Sequence, residues 1–506
     1  MRVLNSLIVL GVALLALPAF AQKATPPVSV TGGQISGTDT GEVRTFLGVP
    51  FAAPPVGELR WRAPQAVVPW SGVRATTTLS AACAPNADWL PNPKSEDCLY
   101  LNVWAPEQAD RAKAEKLPVI VWIHGGGYYG GTAGQPLFDG GNLARHGAVV
   151  VTLNYRLGIF GFFAHPELTA ELPDQSSGNQ GIEDQIAALH WVKDNIAAFG
   201  GDPERVTIMG ESAGGESVAI LVASPLGKGL FQRAIAESGN DALPLAPSEN
   251  AHFDRTAAEA KGMAFSKAAG AHHLFDLRAM SLETLAKQPW SPVPIVDGHV
   301  LHEDLTTTYQ NHRQNDVPIL VGWNAEEGKD LAPEILGTSD FTAANHRDLM
   351  ARLLGHAPTD ALLKTYPGAT DAQARASINQ LTNDWWGWRM QYWANLQRQN
   401  SHSKSYVYFF AHRPAELPNC GYGCGIGHGA EIQYVFDHLD WEQRPWTAED
   451  RRLATELSDR WVAFAATGDP NRRSLPVWTV FDGSNASIFR IGSDTDRLPD
   501  FDLFIP

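Results

Sequence analysis

Two long apolar runs dominate the pattern: Leu117-Pro118-Val119-Ile120-Val121-Trp122-Ile123 and Ala148-Val149-Val150-Val151-Thr152-Leu153-Asn154-Tyr155. Neither alternates with polar residues, as expected of strands covered on both faces of a parallel sheet. Between residues 28 and 75 the pattern differs, with short runs such as Val28-Ser29-Val30 and Val43-Arg44-Thr45-Phe46 broken by Gly and Pro. That stretch predicts antiparallel strands and turns. After Ser177-Gly178, residues Ile182, Ile186, Leu189, Val192, Ile196 and Phe199 recur at helical steps until Gly200-Gly201-Asp202-Pro203 interrupts them. Further strands are predicted at Arg205–Met209, Gln232–Gly239, Val317–Gly322 and Ser405–Phe410, separated by helical patterns. Helices are expected within 250–290, 340–400 and 447–466, and short edge strands at Trp478–Phe481 and Ser487–Ile491. Strands alternating with helices define an α/β chain with a large, mostly parallel sheet.

The two ends and the composition narrow this further. Arg2, the apolar stretch Leu4 to Leu17 and Ala19-Phe20-Ala21 read as a secretory signal peptide over 1–21, cut before Gln22. The apolar stretch is short for a membrane anchor. With no repeat or linker in sight, 22–506 is expected to form one domain that is secreted or periplasmic. The 39 basic and 55 acidic residues give a net charge of −16, or −17 without Arg2. No basic block stands out, which argues against nucleic acid as a partner. No later segment has a membrane-spanning length, and the oligomeric state is left open.

Four cysteines, Cys83, Cys98, Cys420 and Cys424, fit an oxidising compartment and allow three disulfide pairings. Zinc is disfavoured, because the usual C-x2-C spacing is absent.

Candidate chemistry centres on Gly210-Glu211-Ser212-Ala213-Gly214, which follows a predicted strand and precedes a predicted helix. Strand, sharp turn and helix in that order present a serine as an exposed nucleophile. A serine needs a base, the base needs an orienting partner, and the developing oxyanion needs fixed donors. His124-Gly125-Gly126-Gly127, directly after the strand ending at Ile123, is suited to turn backbone N–H groups toward one point.

In these motifs the chain resembles the type B carboxylesterases, the α/β-hydrolase family that includes cholinesterases and bacterial carboxylesterases. Matching segments are Phe46–Ala52, Pro54–Arg60, Ser95-Glu96-Asp97-Cys98-Leu99-Tyr100-Leu101-Asn102-Val103, Asn154–Gly158, Asn179–Gly181 and Gly210–Gly215. The Ser95 segment is the most specific, and coverage runs from about residue 28 to 500. The resemblance implies an α/β-hydrolase fold with an antiparallel N-terminal sheet portion and helical insertions around an active-site gorge. It implies hydrolysis of a small-molecule carboxylic ester through an acyl-enzyme, with no metal or organic cofactor.

Residue by residue, the resemblance places a triad on Ser212, Glu327 and His428. Glu327 lies in Gly322-Trp323-Asn324-Ala325-Glu326-Glu327-Gly328, with Glu326 as its neighbour and rival. His428 lies in the glycine-lined Gly425-Ile426-Gly427-His428-Gly429. Oxyanion donors would be the N–H groups of Gly126, Gly127 and Ala213, with Glu211 and Ser238 as supporting polar residues. His124 would shape the glycine loop, and Cys83 and Cys98 match the family's first disulfide.

The chain departs from the family pattern at Glu216, at Tyr128-Tyr129, and at Cys420 and Cys424, where a bridge would stiffen the His428 loop. Tyr128, Trp323, Trp385 and Trp388 are expected to line the pocket, the last two within a cluster that includes Trp386 and Trp393. Two alternatives accompany the general esterase. One is a specialised esterase for a polycarboxylate or aromatic acyl group, such as a fumonisin-type mycotoxin. The other is a non-catalytic adhesion protein, which the presence of all three triad residues disfavours.

Overall fold

The computed structural model describes residues 23–85, 90, 93–107, 115–240, 254–415, 425–492, 497–498 and 500–504. The expected leader and residues Cys420 and Cys424 lie outside these residues.

Among the described residues, eleven strands make the main sheet. They are β1 (Lys23–Ala24), β2 (Thr38–Asp39), β3 (Val43–Pro50), β4 (Tyr100–Pro106), β5 (Leu117–Ile123) and β6 (Val149–Leu153). Then come β7 (Gly201–Glu211), β8 (Arg233–Glu237), β9 (Ile319–Asn324), β10 (Ser405–Ala411) and β11 (Phe489–Gly492). Their order across the sheet is β1-β2-β3-β4-β6-β5-β7-β8-β9-β10-β11. The pairings from β1 to β4, and that of β4 with β6, are antiparallel. Every pairing from β6 to β11 is parallel. The large, mostly parallel sheet read from the sequence is therefore present. In a small second sheet, Gly33–Ser36 pairs antiparallel with Val28–Val30 but parallel with Val73–Ala75.

The apolar runs form strands because both of their faces are covered. In β5, Val119 to Ile123 are 0 % exposed, and Val121 sits in register between Val151 and Ile208. Each such side chain contributes about 1.5–3 kcal/mol by leaving water. Helix α1 (Gln180–Asn195) buries Ile182, Ile186, Leu189 and Val192. It tightens into a 3-10 turn over Ile196–Phe199 and stops where Gly200 takes φ 92°. The other helices that bear on the site are α2 (Ala213–Ala223), α3 (Glu327–Leu336) and α4 (Asp371–Asn400). A final helix, α5 (Ala448–Thr467), is opened by a Thr447–Asp450 capping box.

One expected element is absent. Trp478–Phe481 is not a strand, because Asn471 occupies the backbone of Trp478: its Oδ1 accepts from Trp478 N at 2.7 Å and its Nδ2 donates to Trp478 O at 2.9 Å. The Trp478 ring is 1 % exposed and stacks on Phe489 of β11.

Cys83 and Cys98 are bridged, with Cα atoms 5.0 Å apart. Closing a loop of this length stabilises the fold by about 3 kcal/mol in the chain-entropy model. Among the described residues, no helix is long and apolar enough to cross a membrane.

The sheet register sets up the site. Glu211, Glu237, Gly322 and Tyr408 lie side by side on β7, β8, β9 and β10. Ser212, Ser238, Glu327 and the loop leading to His428 all follow the C-terminal ends of these neighbours, where open parallel sheets hold their ligands.

Candidate active site

The nucleophile candidate stands on a strained turn. Ser212 caps α2 with φ 56° and ψ −125°, a conformation that costs a non-glycine residue about 1–3 kcal/mol. Glycine on both sides makes the turn possible. A Cβ on Gly210 would fall 2.5 Å from the Gly214 carbonyl, and one on Gly214 would run into the carbonyl of Ile123. The turn is pinned by Ser212 N donating to Glu237 O and Glu216 N donating to Ser212 O, each at 2.9 Å.

The glycine loop lies directly against this elbow. A Cβ on Gly125 would meet Glu211 O at 2.7 Å and Ser212 Cβ at 3.0 Å. Gly126 and Gly127 take φ 106° and 59°, so the loop turns within two residues. Ala213 opens α2, where the first N–H groups have no partner within the helix. His124 is 1 % exposed, stacks on Tyr155 and accepts from its hydroxyl through the backbone carbonyl at 2.9 Å. Burial lowers its pKa to about 4, so it is a neutral part of the scaffold.

On the opposite side, His428 Nδ1 donates to Glu327 Oε2 at 2.6 Å, and its Nε2 is 3.2 Å from Glu211 Oε1. Its backbone N–H donates to Asp330 Oδ2 at 3.0 Å. Glu327 is 0 % exposed, and its Oε1 accepts from Ser238 Oγ at 2.5 Å and Asn324 N at 2.8 Å. Its rival Glu326 points outward to Arg413 at 2.5 Å. Glu431, three residues beyond His428, accepts from Asn324 Nδ2 at 2.5 Å and Tyr408 OH at 3.2 Å. Trp386 seals this side: its Nε1 donates to Ser238 O at 2.8 Å, and its ring meets the imidazole edge-on at 6.1 Å.

Several buried carboxyls share this small volume, and their titration follows from that. Burial raises Glu211 to about 8 against the pull of His428, with Glu431 and Glu327 pushing the same way. Burial also raises Glu431 to about 7 and holds Glu237 well above the carboxylate range. For His428, burial opposes the imidazolium, but Glu211, Glu327 and Glu431 outweigh it and raise the pKa. Glu327 accepts three hydrogen bonds, from Ser238 Oγ, Asn324 N and His428 Nδ1.

The structure brings Ser212, Glu327, His428, Glu211, Ser238, Ala213 and the glycine loop together. The expected pocket set is redrawn. Trp323 is 0 % exposed and packs on Phe409 and Phe501 inside the core. Trp388 packs on Tyr392 and Phe504 beside a separate hollow that contains no triad candidate. The Tyr128 ring is buried against Phe162 and Tyr155, while Tyr129 is exposed and donates to Glu334 at 3.2 Å. Trp385 is half-buried beside Trp386. Asn324 and Glu431 were not singled out by sequence reasoning, although both flank the triad candidates within the motif segments themselves; Trp386 was named in the tryptophan cluster but not among the expected pocket residues. Among the described residues, the cluster able to offer metal ligands is Asp174, Glu183 and His299, which includes no triad candidate.

Fold and site together define a hydrolase of the α/β class with a serine elbow. The chain belongs to the carboxylesterase family, whose model matches residues 24–501, and it is a carboxylic ester hydrolase. It is 35% identical over 490 residues to fumonisin B1 esterase of Sphingopyxis macrogoltabida, covering 92% of this chain and 87% of that one. It is 34% identical to para-nitrobenzyl esterase of Bacillus subtilis, covering 88% and 91%. Liver carboxylesterase of Sus scrofa is 36% identical, covering 94% and 91%.

Proposed function

We propose that this chain hydrolyses small-molecule carboxylic esters through an acyl-enzyme formed on Ser212. The observation that carries the reading is the buried Glu327–His428 contact at 2.6 Å, with His428 Nε2 at 3.2 Å from Glu211, the residue before Ser212. In this mechanism His428 takes the Ser212 proton as the hydroxyl attacks the ester carbonyl. Glu327 holds the ring by Nδ1–H and stabilises the imidazolium. The N–H groups of Gly126, Gly127 and Ala213 receive the oxyanion. His428 returns the proton to the departing alcohol, and water then repeats the sequence on the acyl-enzyme. No step calls on a metal or organic cofactor.

Glu211, Ser238 and Glu431 serve this chemistry at one remove: Ser238 fixes Glu327, while Glu211 and Glu431 set the field at His428. We further propose that 1–21 is a cleaved leader and that the mature chain, one domain over 22–506, acts outside the cytoplasm. The Cys83–Cys98 bridge supports an oxidising compartment. A panel of 4-nitrophenyl esters of increasing acyl length, with fumonisin B1 as a large ester, tests the reading against Ser212→Ala. Turnover should appear with the parent chain and vanish in the variant. Equal rates in both would refute the mechanism.

A further inference from the structure

Next to the triad candidates lies a charged constellation that the mechanism leaves unused. Arg389, on α4, is 7 % exposed, and its guanidinium lies 4.6 Å from the Trp386 ring centroid and 4.9 Å from that of Trp385. Its Nη2 donates to the Asn240 carbonyl and is 3.6 Å from Glu216 Oε1. Asn240 Nδ2 donates back to Arg389 O at 2.5 Å. Glu216 sits one turn along α2 from Ser212, to whose carbonyl its N–H donates at 2.9 Å. An ion pair thus joins the nucleophile's helix to the helix whose Trp386 meets His428.

Arg389 is the buried member of this pair and Glu216 the partly exposed one, and a cation withdrawn from water in this way is seldom kept for stability alone. Arg389 also has unused capacity: Nε is buried with no hydrogen-bond partner among the described residues. A guanidinium fork matches a carboxylate in two-point geometry. The surrounding acids, Glu211, Glu216, Glu327 and Glu431, would repel an anionic substrate without such a cation. One face of each of the two indoles is already taken by Arg389, which leaves this wall poorly suited to a cationic ligand. The acyl part of the substrate stays attached to Ser212, on the helix that carries Glu216, whereas the alcohol leaves past His428.

We propose that Arg389 is a specificity-determining residue that binds a free carboxylate on the acyl part of the ester, with Glu216 as the resident counter-ion it displaces. The substrate class is then a hemiester or partial ester of a di- or polycarboxylic acid. This inference rests on the ester-hydrolase reading above.

The test compares mono-4-nitrophenyl glutarate with 4-nitrophenyl valerate, which share an acyl length and differ in the terminal carboxylate. The quantity read is the ratio of kcat/KM for the two esters, measured on the full chain. Arg389→Met should lower the glutarate-to-valerate ratio roughly 10- to 100-fold, the scale of a hydrogen bond to a charged group. Arg389→Lys, which keeps the charge and loses the fork, should fall between. Glu216→Gln should raise the ratio by freeing the guanidinium, and added salt should reduce the discrimination. If Arg389→Met does not fold, Arg389→Gln carries the same comparison. A ratio unchanged in the Arg389 variants, with both esters slowed alike, would mean that Arg389 only supports the wall, and would overturn the proposal. A parent chain no faster than Ser212→Ala on either ester would instead remove the reading beneath it.

Discussion

Around Ser212 the site is made of backbone, and around His428 it is made of buried side-chain acids. The elbow and the Gly125–Gly127 loop fit because atoms are missing: a Cβ at Gly125, Gly210 or Gly214 meets main chain within 3 Å. On that side burial lowers the His124 pKa to about 4, which keeps the imidazole neutral. The His428 side has the opposite character, with Glu211, Glu327, Glu431 and Asp330 in contact with the ring, with its backbone or with one another's partners. One side is governed by steric fit and the other by electrostatics, so each should fail under a different perturbation.

Removing the proposed nucleophile ends the comparison altogether: Ser212→Ala should cost roughly 10⁶ in kcat, the scale for a triad serine, read as loss of 4-nitrophenyl ester turnover. Glu327→Gln strikes the electrostatic side. It keeps the shape but not the charge that holds the Nδ1–H tautomer, and roughly 10⁴ in kcat should be lost. Gly127→Ala strikes the steric side. At φ 59°, with the Tyr129 ring 2.6 Å from the new Cβ, the loop must shift and lose a donor, for roughly 10²–10³ in kcat. This variant should leave the pH at half-maximal kcat/KM where it was.

The smallest effect is one of position along the pH axis. His428 must be neutral to act as a base, and the neighbouring carboxyls raise its pKa despite burial. The acid limb of kcat/KM should therefore lie above the ordinary histidine value of about 6.5. Glu211→Gln removes one of those carboxyls and should move the limb to lower pH. A limb that stays in place in Glu211→Gln, or that moves in Gly127→Ala, would dissolve the distinction between the two sides.

How far the sequence reveals this site depends on the kind of information involved. Buried strands such as Val119–Ile123 and the helix from Ile182 were legible because their patterns are one-dimensional. The order of Ser212, Glu327 and His428 was legible through motifs that keep fixed spacings. The pocket wall was not. Trp385, Trp386 and Trp388 occupy one helix, and each residue turns the side chain by about 100°, so only the docking angle of α4 decides which indole meets His428. That angle is set by packing distant in sequence, including Gly387 against the Trp323 ring and Trp393 Nε1 donating to Tyr309 OH at 2.6 Å. Trp478–Phe481 failed as a strand for a related reason: Asn471 competes for the backbone groups that a neighbouring strand would use.

The strand order has one more consequence. Ser212 follows β7 and His428 follows β10, three places away across the sheet. At about 4.8 Å per strand, that is about 14 Å at the level of the backbone, too far for a hydroxyl and an imidazole to meet directly. The gap is spanned from the far bank. His428 is held at the end of β9 by Asn324, whose Nδ2 donates to Gly427 O at 3.0 Å and to Glu431 Oε2 at 2.5 Å. Asn324 therefore acts as the pier of a cantilever. Asn324→Ala would free the backbone beside His428 while leaving every strand where it is.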